Sequence, residues 1–171
     1  MEQYGAAVGM CEQFFQGGAH LVPACRDLAL ACHLNIAACA LKVPGREEQA
    51  AQHCTFALHI DIDCAKAYFR RGVAFLTTPP EGQPPPPSGG GGAGAEHALN
   101  QNSQQMESGK KPPREVLLAW AVRDLERADT LAPGDGKVKE YLGKARAEAR
   151  AASKAAASLP MPGGAGDGAP P

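Results

Sequence analysis

One spacing pattern of small and aliphatic residues occurs twice in this chain, and it restricts the possible folds more than any other feature. Each copy carries a small residue, a larger one four positions later, an alanine three positions on, and an aliphatic residue after three more. The copies are Ala50, Cys54, Ala57 and Ile60, and Ala121, Leu125, Ala128 and Leu131. Steps of three and four residues return to one face of an α-helix. The pattern therefore predicts two equivalent helices.

The helices before these two copies are also equivalent, and their distances indicate an insertion. Ala37 and Gly72 are matching small residues 35 positions apart, and each would let a neighbouring helix approach closely. Ala57 and Ala128 are 71 positions apart, which exceeds one repeat of about 34 residues by roughly the length of residues 79–113. Those residues are rich in Pro, Gly, Gln and Ser. Such a composition predicts disorder, as it does for the tail at 159–171.

The composition favours an all-α fold. Hydrophobic residues make up 44% of the chain but aromatic residues only 5%, and alanine supplies much of the apolar content. Such a composition suits closely packed helices and suits a β-sandwich poorly. The apolar periodicity predicts helices at residues 4–17, 26–42, 46–60, 65–77, 114–133 and 137–158.

The repeat length and three segments resemble the tetratricopeptide-repeat region of the large immunophilins, the FKBP-type and cyclophilin-type peptidyl-prolyl isomerases that act as co-chaperones. The segments are LNIAACALK, AAQHCTFALHIDIDCAKAYFRRGVAFL and AVRDLERADTLAPGDGKVKEYL. The resemblance implies an α-solenoid of helix-turn-helix repeats closed by a capping helix. It also implies a further helix and an isomerase domain upstream, so we expect the chain to be N-terminally truncated.

The resemblance divides the chain into seven parts. They are the second helix of an incomplete first repeat (1–17), the second repeat (25–62), the first helix of the third repeat (63–78), the disordered insertion (79–113), the second helix of the third repeat (114–133), the capping helix (134–158) and the disordered tail (159–171).

Three polar side chains fall where the resembling family binds a peptide. The resemblance implies that Asn35, Lys66 and Arg70 hold the carboxylates of an acidic C-terminal tail, Glu-Glu-Val-Asp, of heat-shock protein 90 class chaperones. The residue types suit two closely spaced anions, because Lys supplies a point charge, Arg a planar fork and Asn a neutral donor. Phe69 and Ala38 are the expected apolar neighbours of the valine.

The family clamp has five positions, and the other two belong to the helix expected upstream. Charge-assisted hydrogen bonds contribute about 1.5–3 kcal/mol each. Losing two of them would weaken a roughly micromolar interaction to millimolar or worse. We therefore expect this chain alone to bind the tail weakly.

The same residues allow other interpretations. Lys66 and Arg70 could form an ordinary solvated helix face, and Asn35 could bond to backbone or water. Arg71 is expected to be a surface charge. Residues 84–87 (PPPP) could dock into an SH3- or WW-type groove or act as a plain linker. The basic last helix could bind calmodulin, although a capping role suits its small apolar face better.

Charge and motifs argue against several function classes. The formal net charge is −1, which points to neither nucleic acid nor an anionic membrane as a partner. The sequence shows no membrane span, no secretory leader and no zinc-site spacing, so we expect a reduced cytoplasmic protein without metal or cofactor. It also shows no catalytic constellation. The alternatives to a chaperone-binding module are a fragment of a prolyl isomerase without its catalytic domain, or a repeat scaffold for another partner.

Overall fold

The structure is a computed structural model that describes residues 23–79 and 112–157, together with Ala6 and Gly9, which are helical. Within these residues it contains five α-helices and no strand, which confirms the predicted all-α fold. The helices are α1 (Pro23–Ala40), α2 (Glu47–Ile60), α3 (Ala65–Thr77), α4 (Arg114–Leu131) and α5 (Gly136–Ala157).

Three predicted segments lie outside the described residues. They are the helix at 4–17 apart from Ala6 and Gly9, the insertion at 79–113 apart from its ends, and the tail at 159–171. The division of the chain into repeats and a capping helix therefore stays a prediction. In the part of the chain that the structure describes, no helix combines the length and apolarity needed to cross a bilayer.

The helices stack in the manner of a helical-repeat protein. Each helix packs against the next one along the chain, and in addition α1 contacts α3 and α3 contacts α5. The odd-numbered helices therefore form one layer and the even-numbered helices the other, as in solenoids whose units contact only their neighbours. Gly45 and Gly134, in the turns after α1 and α4, have φ angles of 84° and 101°. Glycine adopts this left-handed conformation without steric cost.

The core is built from small side chains and a few leucines. Its largest completely buried apolar side chains are Leu118 and Leu125 of α4. Gly72 of α3 faces this helix so closely that a Cβ atom there would lie 2.7 Å from Leu125 Cγ and 3.2 Å from the Ala121 carbonyl oxygen. The predicted role of Gly72 in close helix approach is confirmed.

Arg71 has a structural role and its side chain is only 14% exposed, so the prediction of a surface charge was wrong. Its guanidinium forms two bonds to the Asp124 carboxylate, at 2.6 and 3.1 Å, and donates to the Thr55 hydroxyl at 3.2 Å. The Asp124 side chain is 1% exposed, and a carboxylate at that depth needs a paired charge. Arg71 therefore joins α2, α3 and α4.

Arg114 fastens the start of α4 to the end of α3. Its guanidinium donates to the carbonyl oxygens of Phe75, Leu76 and Thr78 at 3.2, 2.8 and 2.9 Å, and to Glu148 of α5 at 2.6 Å. The last carbonyls of a helix lack partners within that helix. Arg114 supplies such partners from 36 to 39 positions further along the chain.

Candidate functional site

Helix α3 carries three of the five residues that the sequence singles out as a binding site. Lys66, Phe69 and Arg70 stand at positions i, i+3 and i+4, which places them on one side of the helix. Lys66 is exposed, whereas Phe69 and Arg70 are half-buried. The helix begins at Ala65, so Lys66 lies in its first turn and Arg70 in its second.

Arg70 is bound to the turn of α1 that carries Asn35. Its Nη1 atom donates to the carbonyl oxygen of Leu34 at 2.6 Å. The bond uses one of the five guanidinium N–H groups and leaves the others for an acceptor. The structure thus places the Arg70 guanidinium at the backbone of the residue before Asn35, and a joint role of the two side chains stays a prediction.

Asn35 of α1 and Lys66 of α3 are both exposed. Within residues 23–79 and 112–157, neither side chain takes part in a hydrogen bond or an ion pair. An incoming carboxylate would therefore meet an ammonium group and an amide that need not give up an existing partner.

The two predicted apolar residues lie in different surroundings. The Phe69 ring packs edge-on against Tyr141 of α5, with a centroid distance of 5.5 Å and an interplanar angle of 85°. Ala38 is half-buried on α1. The structure therefore places Phe69 on the α5 side of α3, and a joint role of Phe69 and Ala38 stays a prediction.

A buried histidine pair is the main polar feature that sequence reasoning missed. Nδ1 of His33 and Nδ1 of His53 lie 3.0 Å apart between α1 and α2, and Phe56 packs against both rings. Burial lowers the pKa of His33 to about 4, with a smaller effect of His53, and burial also lowers the pKa of His53. Both imidazoles are therefore neutral at pH 7. The two histidines are 20 positions apart in the sequence, so their pairing can be predicted only when the packing of α1 against α2 is known.

The buried groups near the junction do not offer a reactive or metal-binding centre. Burial raises the pKa of the Cys54 thiol to about 12, against the opposing effect of Arg70 and Arg71. A thiol with so high a pKa is a poor nucleophile at neutral pH. Among the described residues, no three His, Cys, Asp or Glu side chains come together in a way that could hold a metal ion.

Comparison with known proteins gives one partial relationship. No protein-family profile matches the chain. An alignment over 78 residues, which covers 43% of the chain, shows 40% identity to the peptidyl-prolyl cis-trans isomerase FKBP42 of Arabidopsis thaliana. The match spans 20% of the length of that protein. The chain is therefore similar to one part of an immunophilin-type isomerase.

Proposed function

We propose that this chain is a protein-interaction module of the co-chaperone type, built from tetratricopeptide repeats. It binds the acidic C-terminal tail, Glu-Glu-Val-Asp, of heat-shock protein 90 class chaperones. Asn35, Lys66 and Arg70 are the carboxylate contacts. The observation that supports the proposal is the bond from Arg70 to the Leu34 carbonyl, because it holds the guanidinium at the backbone of the residue that precedes Asn35.

The three side chains suit the end of an acidic peptide. The terminal carboxylate and the aspartate side chain are two anions on one residue. Arg70 offers a fork for one of them, and Lys66 offers a mobile point charge for the other. Asn35 donates a neutral hydrogen bond to a carboxylate or peptide oxygen. The similarity to an isomerase of the immunophilin type supports the same assignment.

A peptide titration with charge-reversed variants tests this proposal. A fluorescent peptide ending in Glu-Glu-Val-Asp is titrated with the wild-type chain, with Lys66→Glu, and with Lys154→Glu, which reverses an exposed charge on α5. We expect Lys66→Glu to weaken binding by about tenfold or more, since a charge-assisted bond contributes about 1.5–3 kcal/mol. Lys154→Glu and wild type should bind alike.

The peptide itself provides a second control. Amidating its C-terminus removes one anion, so the amidated peptide should bind more weakly to wild type and lose most of the difference between wild type and Lys66→Glu. Equal binding by both lysine variants contradicts the proposal. If a natural partner protein still binds Lys66→Glu normally, the chain is a repeat scaffold for a different surface of its partner.

A second candidate function follows from the name of the similar protein. If this chain is one part of a longer prolyl isomerase, its role is to tether that catalytic domain to a chaperone. An immunoblot of a cell extract with an antibody to residues 46–76 tests this. A band well above 17.7 kDa supports the longer protein, and a band at that mass contradicts it.

A further inference from the structure

A partly exposed pair of aromatic side chains lies near the end of α3 and the start of α4. Trp120 of α4 is 37% exposed, and its ring lies against Phe75 of α3 with centroids 5.4 Å apart and an interplanar angle of 59°. Phe75 is half-buried. The two tilted rings leave one side of the Trp120 indole open to solvent, and we call this apolar site the Trp120–Phe75 cleft. The proposed peptide clamp does not use this cleft.

The end of α3 and the start of α4 lie close to this cleft. Arg114 binds the carbonyl oxygens of Phe75 and Thr78, so the end of α3 and the start of α4 meet at one side chain. Trp120 lies six residues beyond Arg114, about 9 Å along the helix axis. Phe75 lies three residues before Thr78. Pro79 and Pro112, the described residues on either side of the proline-rich segment, therefore lie within about 10 Å of the Trp120–Phe75 cleft.

The sequence that leaves α3 has the chemistry that such a cleft recognises. Residues 79–87 read PPEGQPPPP and contain six prolines. Proline-rich peptides bind to grooves lined by aromatic side chains, because proline rings pack flat on aromatic faces and the chain loses little entropy on binding. At about 3.1 Å per residue, a five- to eight-residue path from Pro79 gives the prolines at 84–87 a reach of roughly 16–25 Å, which exceeds the distance to the cleft.

We propose that the proline run at 84–87 of this same chain docks into the Trp120–Phe75 cleft. The tether favours this occupant over a separate molecule, because a short linker gives an effective concentration in the millimolar range. An intrinsic dissociation constant of about 1 mM is then enough to fill the cleft in about half of the molecules. A proline-rich peptide of another protein would need a far tighter contact at micromolar concentration.

The fluorescence of Trp120 reports specifically on this cleft, because Trp120 is the chain's single tryptophan. The experiment measures its emission maximum and its quenching by acrylamide in the full-length chain. One variant replaces the four prolines at 84–87 with serine. The matched control replaces the four glycines at 89–92 with serine, which changes the same segment but leaves the prolines. Neither variant alters a residue of the described helices.

We expect the proline variant to shift its emission to longer wavelength and to raise its quenching constant by about twofold, as when half the molecules lose protection. The glycine variant should match wild type. A free peptide of residues 79–88 added to the proline variant at millimolar concentration should restore protection. Identical spectra for the two variants overturn the proposal. Protection that grows with protein concentration also overturns it, since the occupant is then a second copy.

Discussion

At the scale of single residues, two adjacent arginines of α3 have separate structural roles. Arg70 bonds to the backbone of α1, whereas Arg71 is paired with Asp124 of α4. Adjacent residues of a helix point about 100° apart, so neighbouring side chains reach different partners. A sequence alone shows both as basic residues in a helix. The position of α4 decides which one pairs with a buried carboxylate.

Removing Arg71 should destabilise the fold strongly. Arg71→Ala leaves a carboxylate with 1% exposure without its main partner, and such a change costs about 3–5 kcal/mol. Arg123 provides the matched control, since it approaches the same carboxylate at 3.6 Å but is 69% exposed. Arg123→Ala should cost less than about 1 kcal/mol. Urea unfolding of both variants measures the difference, and equal losses would contradict the assignment of Arg71 as the main counter-ion.

Gly72 should not tolerate a methyl group. In Gly72→Ala the new Cβ atom would lie 2.7 Å from Leu125 Cγ, and overpacking of this kind costs about 1–3 kcal/mol. Gly143 of α5 has nothing within 4 Å of the same position, so Gly143→Ala should stabilise the helix by up to about 1 kcal/mol. Opposite shifts of the melting temperature are therefore expected. A rise for both variants would mean that α4 moves to accommodate the methyl.

At the scale of whole helices, the Arg114 side chain holds the start of α4 against the end of α3. Arg114→Lys keeps the charge but cannot reach three carbonyl oxygens with a planar fork. We expect a loss of about 1–3 kcal/mol, with faster amide exchange in the last turn of α3. Hydrogen exchange followed by mass spectrometry measures this locally.

Glu148→Gln is the control for Arg114, because it removes only the ion pair on a half-exposed surface. Its cost should be about 1 kcal/mol or less. Exchange at the end of α3 should remain close to wild type. If Glu148→Gln loosens the end of α3 as much as Arg114→Lys does, the carbonyl contacts are not what holds the two helices.

At the scale of the whole molecule, the buried histidine pair makes stability depend on pH. The pKa of His33 is 6.5 in its ordinary state and about 4 in the folded chain. Below pH 6.5 the unfolded chain therefore binds a proton that the folded chain does not. Stability is complete above pH 6.5 and declines as the pH falls to 4, by about 3 kcal/mol from His33. Unfolding free energies measured from pH 7 to pH 4.5 should show this decline.

Two variants separate this effect from general acid sensitivity. His33→Asn keeps a polar partner for His53 but removes one titrating group, so the dependence on pH should become shallower without vanishing. His59→Gln removes an exposed histidine and should leave the dependence unchanged. If the unfolding free energy changes equally with pH in wild type and in both variants, the buried histidine pair is not the source of the pH dependence.

The sequence predicted the fold through local patterns and missed contacts that join distant residues. The all-α fold and the need for glycine at position 72 follow from spacing within single helices. The bonds of Arg71, Arg114 and His33 join residues 16 to 53 positions apart, so they depend on how the helices stack. At the candidate site, the pattern of Lys66 and Arg70 was visible from the sequence. The bond from Arg70 to Leu34 and the packing of Phe69 on α5 were not.

The contact of Arg114 with the end of α3 also has a practical meaning. Because these hydrogen bonds hold the end of α3 and the start of α4 together, the covalent connection between the two helices is not the sole link at that corner. The corner is therefore a suitable place to open the polypeptide in a circular permutant or to graft a reporter domain. In such a protein the attachment point of the reporter would lie within about 10 Å of Trp120, which could serve as an energy-transfer donor.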